Sequence, residues 1–453
     1  MNPTYLKDKH FYKTMLGIAL PIALQNLISS SLNMVDTVMI GRLGETEIAA
    51  VGLANQVFFL FILLTFGVNS GCAIFIAQFW GKKDIFNIRR VLGLALISGG
   101  MISLSFAAGA FFVPSFILSI FTKDKTVIEL GAQYLRIVSF SYFITAISFA
   151  YGFASRSIGK AKLPMMVSAV SLLSNTVLNY LLIFGKMGFP AMGLRGAALA
   201  TLIARSIELF LMLKMIYKDG EVLAGKIKEM LNLDLGFMAK VFQTALPVIL
   251  NEGFWSLGMV MYSIAYARIS TEAIASIQIS NTVQNVFMVV AMGLGNSCAV
   301  MLGNEIGAGH RKKAISYAAT FSILGPVLGA AMGFVLILAS PFILSLFKVS
   351  PTVYENAHRI LILMGLFMAA RIFNTILIVG ILRSGGDTKF SLFLEMGSVW
   401  LLGVPLAFVG AILWKLPVYW VYALISLEEL LKASIGLPRV ISKKWVRNVV
   451  EHM

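Results

Sequence analysis

Long apolar runs broken by short polar turns set the pattern of this 453-residue chain. Runs of about twenty or more apolar residues, enough to cross hydrocarbon as helices, recur from end to end. Twelve spans are predicted, at about 15–40, 48–78, 91–113, 130–153, 163–184 and 196–217, then 241–267, 274–302, 314–338, 355–381, 390–413 and 416–437. Several exceed the bilayer thickness, which tilt or helical ends in water accommodate. The first run is too long for a signal-peptide core and reads as a retained span. One longer polar stretch splits the series six and six. The expected organisation is an N-terminal lobe over 1–217, a cytoplasmic linker over 218–240, a C-terminal lobe over 241–437 and a basic cytoplasmic tail over 438–453.

The two sets of six are copies. Ala19-Leu20-Pro21 reads again as Ala245-Leu246-Pro247, an offset of 226 that also pairs Arg42 with Arg268, Asn55 with Asn281, Gly67 with Gly293 and Cys72 with Cys298. About fifteen identities fall in about sixty ungapped positions, more than shared hydrophobicity would produce. With six spans each, both copies insert in the same orientation, related by a pseudo-two-fold axis along the membrane normal, and such proteins place their substrate between the copies. A second repeated signal follows spans four and ten: Arg156-Ser157-Ile158-Gly159-Lys160-Ala161-Lys162 lines up with Arg383-Ser384-Gly385-Gly386-Asp387-Thr388-Lys389 at an offset of 227. Its Gly and Ser favour a tight reversal at the cytoplasmic surface, and its bases suit anionic lipid headgroups.

Composition agrees with an all-α polytopic membrane protein: 58% of residues are hydrophobic and only 13% charged, far from soluble domains. The net charge of +16 raises nucleic acid as a partner, but its placement argues against one. Bases gather in alternate connections, at Lys82, Lys83, Arg89 and Arg90, at Arg156, Lys160 and Lys162, at Arg311, Lys312 and Lys313, and near the end at Lys443, Lys444 and Arg447. That alternation is the positive-inside signature and places both termini in the cytoplasm. Cys72 and Cys298 read as small packing residues at equivalent positions, since no Cys/His cluster accompanies them. No metal or cofactor is expected.

Ionisable and amide side chains inside hydrocarbon are costly and default to functional candidates. Asp36 is the clearest, set among Met34, Val35, Val38 and Ile40. Three readings stay open: a proton acceptor, a sodium ligand helped by amide and hydroxyl oxygens, or an aspartate near the outer interface where Gly41-Arg42 ends the span. Asn175 and Asn179 share one face of span five, and Thr201 precedes Arg205 by one turn in span six. The second copy has Tyr262 where the first has Asp36, and Asn251-Glu252 where the first has Gln25-Asn26. Arg371 and Asn374 stand in span ten, and a Glu252–Arg371 pair is expected to compensate the buried charges. Arg136, Glu395 and Glu428-Glu429 receive no role.

Several segments resemble the multidrug and toxic compound extrusion (MATE) family: ALPIALQNLISSSLNMVDTVMIGRLG with EIAAVGLANQV, SLLSNTVLNYLLIFG with GLRGAALATLIAR, LPVILNEGFWSLG, LRSGGDTKF, and the C-terminal GSVWLLGVPLAFVGAILWKLPVYWVYALISLEELLK. The resemblance covers essentially the whole chain. It implies two six-helix lobes forming a V and antiport of organic, often cationic, compounds against protons or sodium. By similarity Asp36 is the coupling carboxylate, with Asn175 and Thr201 lining its pocket. Many relatives carry Asp where this chain has Asn179. The alternative is a lipid-linked oligosaccharide or lipid II flippase of the same superfamily, though twelve spans and a lone Asp36 favour the exporter. A membrane-embedded enzyme would need a convergent set such as HExxH, and the four histidines (His10, His310, His358, His452) stand near chain ends or span edges. The expected partners are a small organic substrate and membrane lipids, the expected state a monomer, and the expected location the plasma membrane.

Overall fold

The computed structural model of the chain describes residues 5, 7–218, 220, 222–347, 349–451 and 453, with the side chains at 32 and 33 set aside. His452 lies outside the described residues. Among the described residues twelve long helices follow one another: α1 Lys9–Gly41, α2 Glu45–Lys82, α3 Ile85–Phe112, α4 Lys125–Ser157, α5 Lys162–Phe184, α6 Gly193–Lys218, α7 Leu235–Ala267, α8 Thr271–Gly307, α9 Arg311–Ser345, α10 Pro351–Arg383, α11 Thr388–Leu413 and α12 Val418–Ile441. The first eleven are long and apolar enough to cross a membrane. The twelfth has the length but carries Glu428, Glu429 and Lys432 within it.

These helices are longer than the apolar runs, and in several of them a polar residue caps the first turn outside the apolar window. Asp84 accepts from the Asn87 amide at the start of α3, Asp124 from the Thr126 and Val127 amides at the start of α4, and Ser270 from the Ala273 amide at the start of α8. Each cap satisfies a backbone donor that the first turn leaves free. Gly185, in the left-handed region at φ 65°, stops α5. Three stretches, Ile376–Arg383 in α10 and Ser398–Gly403 and Val409–Leu413 in α11, have π-helical turns. Pro405 lies between the last two and has no N–H to give to the ladder, which accounts for a wider turn beside it.

The chain divides into two compact units. One contains residues 24–80 and 84–242, the other 1–23, 81–83 and 243–453. In the first, the core is aromatic and apolar: Phe61 stacks on Tyr142 with centroids 5.0 Å apart and planes 7° from parallel, among Leu118, Leu135, Ile183 and Ala198. In the second, Gly325, Gly329 and Gly333 form one stripe of α9, and a Cβ at Gly333 would overlap the Gly365 carbonyl of α10. Small residues four apart let two backbones meet where lipid offers no hydrophobic driving force. The C-terminal residues close this unit's polar end. Trp445 is fully buried, the Arg447 amide donates to the Gly385 carbonyl at 2.9 Å, and Asp387 holds Arg439 at 2.7 Å and Arg447 at 3.0 Å.

The polar stretch after α6 is held against α3 in the first unit. Arg89 donates to the Val222 carbonyl and to Glu229, both at 2.9 Å, while Arg90 donates to the Asn232 carbonyl and to Asp234, both at 2.6 Å, and stacks on Phe237. The Lys226 amide, with Arg89, holds the Glu229 carboxyl below the usual carboxylate range, and the Phe237 amide, with Arg90, does the same for Asp234. Groups depressed in this way contribute at and above their ordinary titration range, and the contribution is lost as pH falls through the lowered values. A spin label at Lys228→Cys, where the native thiols Cys72 and Cys298 are buried, will therefore be immobilised at neutral pH and will sharpen as pH falls below the ordinary carboxylate range. Unchanged spectra across that range would mean that the two arginines do not hold the segment.

Candidate functional site

Asp36, Asn175, Asn179 and Thr201 come together in the first unit, on the wall of a cavity of about 460 Å³ that also exposes Asn55, Phe58, Phe59, Tyr134 and Arg205. The i, i+4 spacing puts both asparagines on one face of α5, so Asn179 Nδ2 donates to Asp36 Oδ1 at 2.7 Å and reaches Asn175 Oδ1 at 3.4 Å. Asp36 lies five residues before the end of α1, half-buried. Thr201 donates back to the Ala197 carbonyl at 3.1 Å, and its hydroxyl also meets the Tyr134 hydroxyl. The Asn179 carbonyl oxygen is buried with no hydrogen-bond partner.

Behind that wall runs a line of polar side chains that the apolar context of span six concealed. Arg205 donates to Glu208 at 2.7 Å, Ser168 donates to Glu208 at 3.2 Å, Gln25 donates to Ser168 at 2.8 Å, and Arg156 donates to Gln25 at 2.7 Å. Arg156 therefore points into the protein, and the lipid-anchor reading of that base is corrected: an amide acceptor within reach draws the guanidinium inward. The signal for Glu208 was present, as an acid three residues after Arg205 in an otherwise apolar helix.

The second unit holds the other expected residues, in a different arrangement from the one the sequence implied. Glu252 pairs with Arg383 at 2.7 Å, and Arg371 pairs with Glu429 at 3.4 Å. The expected Glu252–Arg371 pair is therefore corrected, and so is the lipid-facing reading of Arg383, which is 4% exposed. Asn374 donates to the Glu429 backbone carbonyl at 2.8 Å and to its carboxylate at 2.7 Å. Tyr262 donates to Glu428, which is 3.4 Å from Lys432, and Asn251 donates to Glu395. Gly403 makes room: a Cβ there would overlap the Tyr262 hydroxyl. Glu395, Glu428 and Glu429 thus belong to the cluster.

The two units repeat this geometry with different chemistry. Arg156 lies 131 residues after Gln25 and Arg383 lies 131 after Glu252. Ser168 follows Gln25 by 143 and Glu395 follows Asn251 by 144. One glutamine serves both partners in the first unit. In the second, Asn251 and Glu252 divide the work, and a carboxylate stands where the first unit has Ser168. His10, His310 and His358 are dispersed, beside Thr14, Glu305 and Ser340 respectively.

Comparison with known proteins locates the chain. The family model described as MatE matches residues 21–181 and again 247–409, two matches that begin at the paired prolines. The chain is 23% identical to "Uncharacterized transporter YisQ" of Bacillus subtilis, over 97% of this chain and 96% of that one. It is 27% identical to "Probable multidrug resistance protein YoeA" of the same organism, over 88% and 86%. A mutant of the Vibrio cholerae MATE transporter VcmN has a similar fold, with TM-score 0.87 at 16% identity, covering 96% of this chain and 98% of that one.

Buried pairs are weak contributors as a whole but costly to break one-sidedly. In detergent, Glu252→Gln and Arg383→Gln will each lower stability by about 3–5 kcal/mol, and the double variant will recover part of that loss. A thermal or denaturant double-variant cycle measures the coupling. A cycle between Glu252 and Arg371 will give a markedly smaller value, and the opposite ranking would restore the pairing first expected.

Proposed function

The chain belongs to the MatE family, and from that premise we propose that it is a secondary-active antiporter exporting organic, cationic, amphipathic compounds in exchange for a proton or sodium. The observation that carries this reading is Asp36, held by an amide N–H and set on the wall of the first unit's cavity. A carboxylate so placed can exchange a cation with whatever enters the cavity. The volume of about 460 Å³ falls within the range of small-molecule sites, roughly 300–1,000 Å³, and Phe58, Phe59 and Tyr134 offer aromatic faces to an organic cation.

Of the two coupling ions, the proton fits better. Sodium asks for several oxygen acceptors, whereas Asn179 presents its N–H to Asp36 and keeps a buried carbonyl oxygen without a partner. Once Asp36 takes a proton, rotation of that amide gives the new O–H an acceptor. Both termini are read as cytoplasmic, which the alternation of bases supports. Alternating access then follows from the duplicated halves.

Everted vesicles loaded with a fluorescent cation test the reading, with proton and sodium gradients imposed separately. Proton-driven transport will exceed sodium-driven transport, and Asp36→Asn will reduce it by at least about tenfold while the purified variant still elutes as a folded protein. Gradient-driven transport undiminished in Asp36→Asn would sink the coupling role of this carboxylate.

A further inference from the structure

The buried polar cluster of the second unit is not balanced. Glu252, Glu395, Glu428 and Glu429 face Arg371, Arg383 and Lys432, four carboxylates against three cations. Arg383 is matched by Glu252 at 2.7 Å, Arg371 by Glu429 at 3.4 Å, and Lys432 by Glu428 at 3.4 Å. That leaves Glu395, whose hydrogen bond comes from the Asn251 amide. The charged groups facing it are Glu252 on α7, Arg383 on α10 and Lys432 on α12, and each of these already has an ion-pair partner.

Two further observations point to what occupies the fourth carboxylate. Asn251 is 3% exposed, and its carbonyl oxygen is buried with no partner, although its Nδ2 is engaged by Glu395. The head group therefore brings a vacant acceptor beside the unmatched acid. The other is the repeat: the counterpart of Glu395 is Ser168, which takes the same amide hydrogen bond from Gln25. A hydroxyl suffices to join these two helices, so a carboxylate at this point serves something other than packing.

We propose that Glu395, with Asn251, is a second proton-binding site of this protein. Ionised, Glu395 accepts from Asn251 Nδ2. On protonation its new O–H donates to the Asn251 carbonyl oxygen after the amide rotates, and the cluster becomes neutral. The pair has the chemistry of Asp36 with Asn179, where the amide also donates to the acid and its oxygen lacks a partner. That likeness rests on the coupling role proposed for Asp36, whereas the charge count and the vacant acceptor do not.

Infrared difference spectra of the purified full-length chain, titrated with pH, read carboxyl protonation without transport. A protonated-carboxyl C=O band will shift on incorporation of [13C]glutamate, will vanish in Glu395→Gln, will move in Asn251→Leu and will persist in Asp36→Asn. No glutamate-sensitive band, one that survives Glu395→Gln, or one that ignores Asn251→Leu would overturn the proposal. Loss of a glutamate-insensitive band in Asp36→Asn reports on the first site alone, so the two claims stand or fall separately. The labelled wild-type spectrum decides against the site even where Glu395→Gln does not fold.

Discussion

Compensation of charge inside water-poor helices constrains this protein more than any packing contact does. A carboxylate or guanidinium between apolar helices is tolerated only when partners reach it, and the second unit shows how much is arranged to that end. Gly403 gives up its side chain so that the Tyr262 hydroxyl can reach Glu428. Asn374 divides its donors between a backbone carbonyl and the carboxylate of Glu429. α10 takes π-helical turns from Ile376 to Arg383, ending on the residue that pairs with Glu252. Replacing such pairs with apolar residues is often neutral or stabilising. A cluster of seven charged groups is therefore poor evidence for stability and better evidence for use.

The duplication supplies the frame on which these differences are written. Pro21 and Pro247 begin the two family matches, and Gly293 still needs its missing Cβ, which would come within 2.7 Å of the Ala19 carbonyl. Backbone geometry of that kind was retained. Side-chain chemistry on the same scaffold was not. Gln25 bridges Arg156 and Ser168, while Asn251 and Glu252 split the bridge and trade a neutral hydroxyl for Glu395.

Most of the fold was legible because apolar length alone decides where a helix can cross a bilayer. The helix ends were less so, since Asp84, Asp124 and Ser270 extend helices into water by capping rather than by hydrophobicity. Asp36, Asn175, Asn179 and Thr201 stand out because each is polar in an apolar run and the asparagines share a face, but it is the family resemblance that implies one pocket for Asp36, Asn175 and Thr201. Pairings across helices do not stand out. Glu252 and Arg371 lie far apart along the chain, and linear sequence says nothing about which helix faces which. Arg156 and Arg383 suit lipid headgroups by their place in a Gly/Ser reversal at the membrane surface, yet long side chains at such points can turn inward as readily as outward. Glu428 and Glu429 receive no role from sequence alone, yet Lys432 stands three and four residues on and pairs with both along one helix face.

The charge inventories of the two units then differ in a way that bears on the antiport proposed above. In the first, Asp36 and Glu208 stand against Arg156 and Arg205, an even set while Asp36 is ionised. A proton on Asp36 leaves that set positive, which disfavours an organic cation in the adjoining cavity. A bound cation in turn disfavours the proton, since coupling between two ligands is reciprocal. Mutual exclusion is what exchange requires: each ligand must leave before the other is held. In the second unit the surplus is negative, and a proton there removes it instead of creating a positive charge. On the coupling proposed above, protonation would make one half less hospitable to a cation and the other half merely neutral, so the same ion would drive exclusion in the first unit and relieve a buried charge in the second.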